Sequence, residues 1–402
     1  MTIYDRLQTI SIPEKEAEVN AKLRWDSIAK PLGSLGRLEE AVIRLAGISK
    51  DANQVSVKKA GLVIMCADHG VVDEGVTQTG YEVTNIVANN FTKGKTSVNA
   101  MADTIGVDVF PIDIGMKAAP VNETQLYPMT LVNRKISMGS GNIAKEAAMS
   151  IEQCEEALCI GIDIVAELKE KGYDILATGE MGIGNTTPSS ALAAVLLNQE
   201  AEVVTGKGAG LSNTSLELKI NAIKRAIDRY HATEFVKSLK NNDLQGNYSQ
   251  SNDSKNNETT NLKSMADGLT KTEHPASYGV HLLSQLGGYD IAGLVGVFLG
   301  GAIHQVPIII DGFISSVAAL LAATIEPKSR QYMFPSHASK EPAGKLVLDA
   351  LQMKPFITCD MYLGEGTGAI AVLPILQMAV NVYQKMSTFQ EIEIKEYKPF
   401  ES

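Results

Sequence analysis

The chain has 402 residues, 45% of them hydrophobic and 34 of them glycine, with a formal net charge of −10. That length can bury a large core, and one large domain with a small satellite fits it better than three domains. The acidic balance excludes nucleic acid as the main partner, since phosphate backbones are held by clustered Lys and Arg, but it allows a local basic pocket for a small phosphate.

Residues 1–16 lack a charged stretch followed by an apolar run and do not read as a signal peptide. Residues 14–28 have helical periodicity through Val19, Leu23 and Ile28, and Pro31, Gly33 and Gly36 then break the helix. A second amphipathic helix spans 38–48. Both precede any strand, so 1–50 is expected to form a small helical domain, with a polar linker over 51–59 and a large α/β domain over 55–383.

Strand-like and helix-like segments then alternate. Residues 61–67 are an unbroken apolar run and read as a strand buried on both faces, ending in Asp68, His69 and Gly70. A helix is expected over 82–101 and a strand over 107–114. The loop Gly139-Ser140-Gly141-Asn142 leads into helical sequence up to about residue 165. A strand over 173–177 feeds the loop 178–187, and a helix follows over 188–197, with Thr187 as N-cap and Pro188 at the first helical position.

That loop carries Gly179, Gly182 and Gly184 at the start of a helix. Glycines let the backbone approach a ligand closely, and a helix N-terminus favours anions, so the loop reads as a phosphate cradle. Glu180 within it would repel phosphate unless it binds a cation or a sugar hydroxyl. A tight strand–helix turn with a solvated Glu fits the same residues, and composition leaves the two readings open.

Residues 205–210 form a second glycine-rich loop before a helix over 215–229 that carries Lys219. Residues 241–272 are rich in Asn and Ser and too poor in apolar residues to order themselves, which predicts a disordered surface insertion. Two packed helices are expected over 276–286 and 289–303, joined at Gly287 and Gly288. The most apolar stretch, 289–310, is interrupted by Asp290, His304, Gln305 and Pro307, so it reads as a buried helix and strand rather than a membrane span. The strand 307–310 ends in Asp311-Gly312-Phe313, and a helix follows over 314–324. A last strand over 355–360 leads to Leu363-Gly364-Glu365-Gly366 and a helix over 369–383, kinked at Pro374.

This alternation predicts an α/β fold, a mainly parallel Rossmann-like sheet covered by helices on both faces. Its ligand site lies at the carboxyl ends of the strands. Cys66, Cys154, Cys159 and Cys359 form no C-x-x-C pair and read as reduced thiols of a cytoplasmic protein.

In a parallel sheet the loops at Asp68, Glu180, Asp311 and Glu365 converge. Glu180 and Glu365 each stand among glycines, so either carboxylate can enter a dry pocket, where burial would raise its pKa and make it a usable base. For Glu365 a solvent-exposed turn is the competing reading. His69 beside Asp68, and His337 four residues before Glu341, are read as structural or substrate-orienting rather than metal ligands, and Asp311 as a hydrogen-bonding residue at a strand end. No dinucleotide fingerprint, P-loop or metalloprotease helix motif is present.

Together the blocks KPLGSLGRLE, ADHGV with EGV, GEMGIGNTT, GGYDIAGLVG, DGFISS, SHASKEP and LGEGTGA resemble those of the nicotinate-nucleotide–dimethylbenzimidazole phosphoribosyltransferase (CobT) family, in order from Lys30 to Ala369. The resemblance implies transfer of 5-phosphoribose from nicotinate mononucleotide to a benzimidazole-type base, giving α-ribazole 5′-phosphate and nicotinate, for the lower ligand of cobalamin. It implies Glu365 as general base, flanked by Leu363, Gly364 and Gly366. Glu180, Met181, Gly182, Ile183 and Gly184 would hold the phosphoribosyl part and Lys219 the phosphate, with Thr77 and Tyr81 at the base pocket and Asp311 and Ser339 as further pocket positions.

The same resemblance implies a homodimer and a small helical domain completed by residues 384–402, and no metal, cofactor or membrane is expected. Two departures from the family pattern stand out. The insertion 241–272 is one. In the segment 77–84, Thr77 keeps a hydroxyl where the family often has Ser, and Tyr81 replaces Gln, which leaves the accepted base open. Another acceptor, such as adenine or a phenol, remains an alternative. So does a riboside-binding protein without turnover, though two desolvated acids would serve a mere binder poorly.

Overall fold

A computed structural model of the chain describes residues 2–208, 210–245 and 275–397. Eight residues without a charge, Ala60–Ala67, form strand β1, every one of them buried. Such a run suits a strand covered on both faces. β2 (Asp108–Gly115) and β4 (Ile175–Met181) flank it, both parallel to it. β3 (Val132–Asn133) extends one side, and β5 (Ile308–Ile310) and β6 (Met333–Pro335) the other. The sheet has six strands in the order β3-β2-β1-β4-β5-β6, all parallel. The direction of winding reverses between β1 and β4, which opens a crevice at their carboxyl ends.

Helix Tyr289–His304 crosses one face of this sheet and packs on helix Ile151–Glu170, with Gly161 against the backbone of Gly293 and Gly296. Its first fourteen residues, Tyr289 to Ala302, are buried. The apolar stretch is therefore a core helix followed by β5. Helix Thr367–Lys385, with Pro374 inside it, is long and apolar enough to cross a bilayer, yet over half of it is buried in the protein.

The structure corrects several expectations. β4 runs on through Glu180 to Met181, so the loop begins at Gly182, four residues later than expected. The following helix is Thr186–Leu197; its N-cap position is Asn185, and Pro188 is third. The expected helix over 82–101 is two, Glu82–Thr92 and Ser97–Ile105, parted at Gly94 (φ 67°) and restarted by Thr96, whose hydroxyl accepts the Asn99 N–H. The last strand is Met333–Pro335, not 355–360, where only Ile357 bridges His337. Residues 358–360 are exposed, and a stretch open to water on both faces gains nothing from entering the sheet. Residues 241–245 belong to helix Glu234–Gln245, and the rest of the expected insertion, 246–272, lies outside the described residues.

Near the N-terminus, helices Ile3–Leu7, Lys15–Ser27 and Arg37–Ser49 join the segment that follows helix Thr367–Lys385. Ala29 N–H donates to Ser387 O at 3.0 Å and Phe389 N–H to Ser27 O at 2.9 Å. Trp25 and Tyr383 stack with ring centroids 5.1 Å apart. The hydrophobic core runs without interruption from Ile3, Leu7 and Trp25 into the sheet layers.

Candidate active site

A cleft of about 670 Å3 opens at the carboxyl ends of β1, β4 and β5. Thr77, Glu180, Met181, Gly182, Ile183, Gly184, Lys219, Asp311, Ser339, Leu363, Gly364 and Glu365 all line it. Two residues expected there do not. The Tyr81 hydroxyl donates to Asp73 Oδ1 at 2.6 Å, and Lys117 Nζ lies 3.3 Å from the centre of its ring. That ion-flanked contact holds the ring at the start of helix Glu82–Thr92, and Thr77, Gln78 and Thr79 form the nearby wall instead. Gly366 is buried behind the cleft, with its N–H donated to Asp311 Oδ2 at 3.1 Å.

Glu365 occupies left-handed backbone at φ 63°, unusual for a residue with a side chain. The cause is Asp311. Its Oδ1 accepts the N–H groups of Gly368 (2.8 Å) and Ala369 (3.0 Å), and its Oδ2 that of Gly366. One carboxylate thus gathers the free N–H groups of the first turn of helix Thr367–Lys385, where a negative charge is favoured. The loop also packs on β4, where a Cβ on Gly179 would lie 2.6 Å from Glu365 O. Glu365 Oε2 is buried and has no hydrogen-bond partner among the described residues. Burial, and then the Asp311 charge, push this carboxyl above its ordinary value, while the Val98 N–H pulls weakly the other way.

Glu180 is buried at 8% exposure. Its carboxyl is pushed up to about 8, first by burial and then by Asp290. The Asn185 amide donates to its Oε2, so this residue serves the site rather than capping the helix with its side chain. Lys219 Nζ donates to Thr186 Oγ1 at 2.8 Å and to Gly206 O at 3.0 Å. Burial brings the ammonium down to about 8, opposed by Glu341. A buried cation beside glycine-rich backbone and a helix N-terminus is a site for a phosphate dianion.

Asp68 and His69 turn to separate partners. Asp68 Oδ2 accepts the Lys117 N–H at 2.7 Å, and His69 Nε2 stands 3.0 Å from Asp290 Oδ1. His337 lines the cleft with Nδ1 3.0 Å from Ser336 Oγ, which donates to Asp311 O at 3.0 Å. Sequence reasoning missed Ser97 and Met101 as lining residues, because a single helix over 82–101 gave no reason to look at its interior. It also missed Asp290, whose signal was a lone acid at the start of an apolar helix.

A family model described as "Phosphoribosyltransferase" matches residues 10–244 and 251–394. Most of the expected insertion therefore falls within the matched range. A nicotinate-nucleotide–dimethylbenzimidazole phosphoribosyltransferase of Acetivibrio thermocellus is 41% identical over 99% of both chains. One of Ruminiclostridium cellulolyticum is 40% identical over 100% of both. The chain belongs to the nicotinate-nucleotide–dimethylbenzimidazole phosphoribosyltransferase family. The crystal structure of CobT from Thermus thermophilus superposes with a TM-score of 0.78 at 31% identity, over 95% of this chain and 100% of that one. In this family member the α/β architecture, its parallel sheet and the cleft at the strand ends thus accompany a phosphoribosyltransferase sequence along nearly the whole chain.

Proposed function

We propose that the protein transfers 5-phosphoribose from nicotinate mononucleotide to 5,6-dimethylbenzimidazole, giving α-ribazole 5′-phosphate and nicotinate for the lower ligand of cobalamin. The observation that carries this reading is the Glu365 oxygen, without a partner among the described residues, at the wall of a cleft that also holds Lys219 and the β4 glycine loop. Lys219, Thr186 and the backbone at Gly182 to Gly184 take the phosphate. One ring nitrogen of the base gives its lone pair to C1′ as the C1′–nicotinate bond breaks. The departing electron pair neutralises the pyridinium ring, and the proton on the other base nitrogen passes to Glu365. A carboxyl raised by burial binds that proton better than an exposed one. The Glu365 and Asp311 carboxylates at the cleft favour positive charge developing on the sugar.

The test is Glu365→Gln, assayed for nicotinate release with both substrates. A fall in kcat of about 10²–10⁴-fold with little change in KM for nicotinate mononucleotide is expected of a lost general base. Near-normal turnover would sink the assignment. Competition between 5,6-dimethylbenzimidazole and adenine in one reaction would identify the acceptor.

The reading includes a cytoplasmic homodimer with a small helical domain built from both chain ends. The backbone pairing of residues 27–29 with 387–389 supports the shared domain. Val19 and Leu23, 49% and 62% exposed one helical turn apart, offer an apolar strip for a second copy.

A further inference from the structure

From the cleft wall inwards runs a buried string of polar side chains whose role the transfer described above does not assign. Asp290, at 0% exposure, sits between two partners. Its Oδ1 lies 3.0 Å from His69 Nε2 and accepts the Ile291 N–H at 2.8 Å. Its Oδ2 accepts Asn185 Nδ2 at 3.1 Å. The same Nδ2 donates to Glu180 Oε2, so one amide nitrogen serves two buried carboxyl groups. The β4 loop closes over them: a Cβ on Gly182 would lie 2.8 Å from Asp290 Oδ2 and 3.1 Å from His69 Nε2.

An amide orients a carboxyl without neutralising it. The groups acting on Glu180, besides burial itself, are Asp290 and Asn185 from behind, Asp311 after β5, and Glu365 from the glycine loop. None is a cation, and crowded acids disfavour one more negative charge. The proton of a neutral acid sits on the oxygen that does not accept from the amide. That oxygen is Oε1, beside Gly364 at the cleft wall, where an added Cβ would come within 2.5 Å of it.

We propose that His69, Asp290 and Asn185 are positioning residues that hold Glu180 as a neutral acid, with its O–H aimed into the cleft as a donor to an oxygen of the phosphoribosyl group. This rests on the phosphoribosyl-transfer reading. It also resolves why an acid stands in a phosphate cradle: uncharged, it attracts where a carboxylate would repel.

Wild-type turnover is the control, and its absence would sink the transfer reading rather than the relay. Given turnover, Glu180→Gln keeps a neutral donor and is expected to hold KM for nicotinate mononucleotide within about threefold at neutral pH, whereas Glu180→Ala raises it about tenfold. Equal losses in both variants would overturn the proposal. Asp290→Asn removes a neighbouring negative charge, so the pH above which kcat/KM falls should drop by about one unit, and this drop should vanish in the Glu180→Gln background. An unmoved limb, or the same shift in both backgrounds, would overturn it too. Should Asp290→Asn not fold, the Gln-against-Ala comparison decides alone.

Discussion

At the scale of single residues, the chemistry depends on how Asp311 holds Glu365. Asp311→Asn keeps one acceptor oxygen but turns an NH2 group towards backbone N–H groups. Loss of about 1–3 kcal/mol of stability is expected, measured by denaturant unfolding. The lost charge also lowers the Glu365 pKa, so the acid limb of the kcat profile should move to lower pH. A limb that stays put would show that Asp311 acts through geometry alone. Lys219, brought down to about 8 by burial, binds phosphate while protonated. KM for nicotinate mononucleotide should therefore rise as pH climbs past 8, and Lys219→Met should raise it at all pH values. The residue types carrying this chemistry were legible in the sequence because acids among glycines are rare. The partnership of Asp311 with residues 366–369 was not, since it joins two loops distant in the chain. Tyr81 misled because a motif position says nothing of the Asp73 and Lys117 side chains that draw it away.

At the scale of elements, β4 and the loop around Glu365 form one unit. Gly179→Ala places a methyl 2.6 Å from Glu365 O and must displace that loop or the strand. We expect a loss of about 1–3 kcal/mol, as for other overpacked sites, together with a fall in kcat that exceeds any change in substrate affinity. Unaltered turnover would mean that the loop tolerates displacement. Long apolar strands such as β1 could be read directly from their composition. β6, with three residues, and β3, with two, are too short to show a period, and their pairing is decided by neighbours. The break at Gly94 was missed because apolar periodicity continues across it.

At the scale of the whole molecule, stability should depend on pH in a definite direction. Glu180, Glu365, Glu341, Asp68 and Asp113 are all pushed above their ordinary values, chiefly by burial. Each keeps its proton in the fold at a pH where the unfolded chain has released it. Their contribution is full below the unfolded values and is lost as pH rises, for Glu180 through about 8. Glu74, held near 2 by Lys145 and Arg225, contributes above its ordinary 4.5, and that contribution is lost as pH falls towards 2. His281 and His304, held below their ordinary 6.5 by burial, act the other way near pH 6.5. The five raised acids outnumber them, so the melting temperature should decline from about pH 5 towards pH 8, measured at fixed salt. A peak above pH 7 would contradict this.

The left-handed backbone at Glu365 sets breeding for heat tolerance against activity. Glycine adopts that conformation freely, so Glu365→Gly should be more stable by about 1 kcal/mol of relieved backbone strain, while turning over about 10²–10⁴-fold more slowly. Laboratory evolution scored on survival after boiling would drift towards glycine there, and the sturdiest descendants would be the slowest.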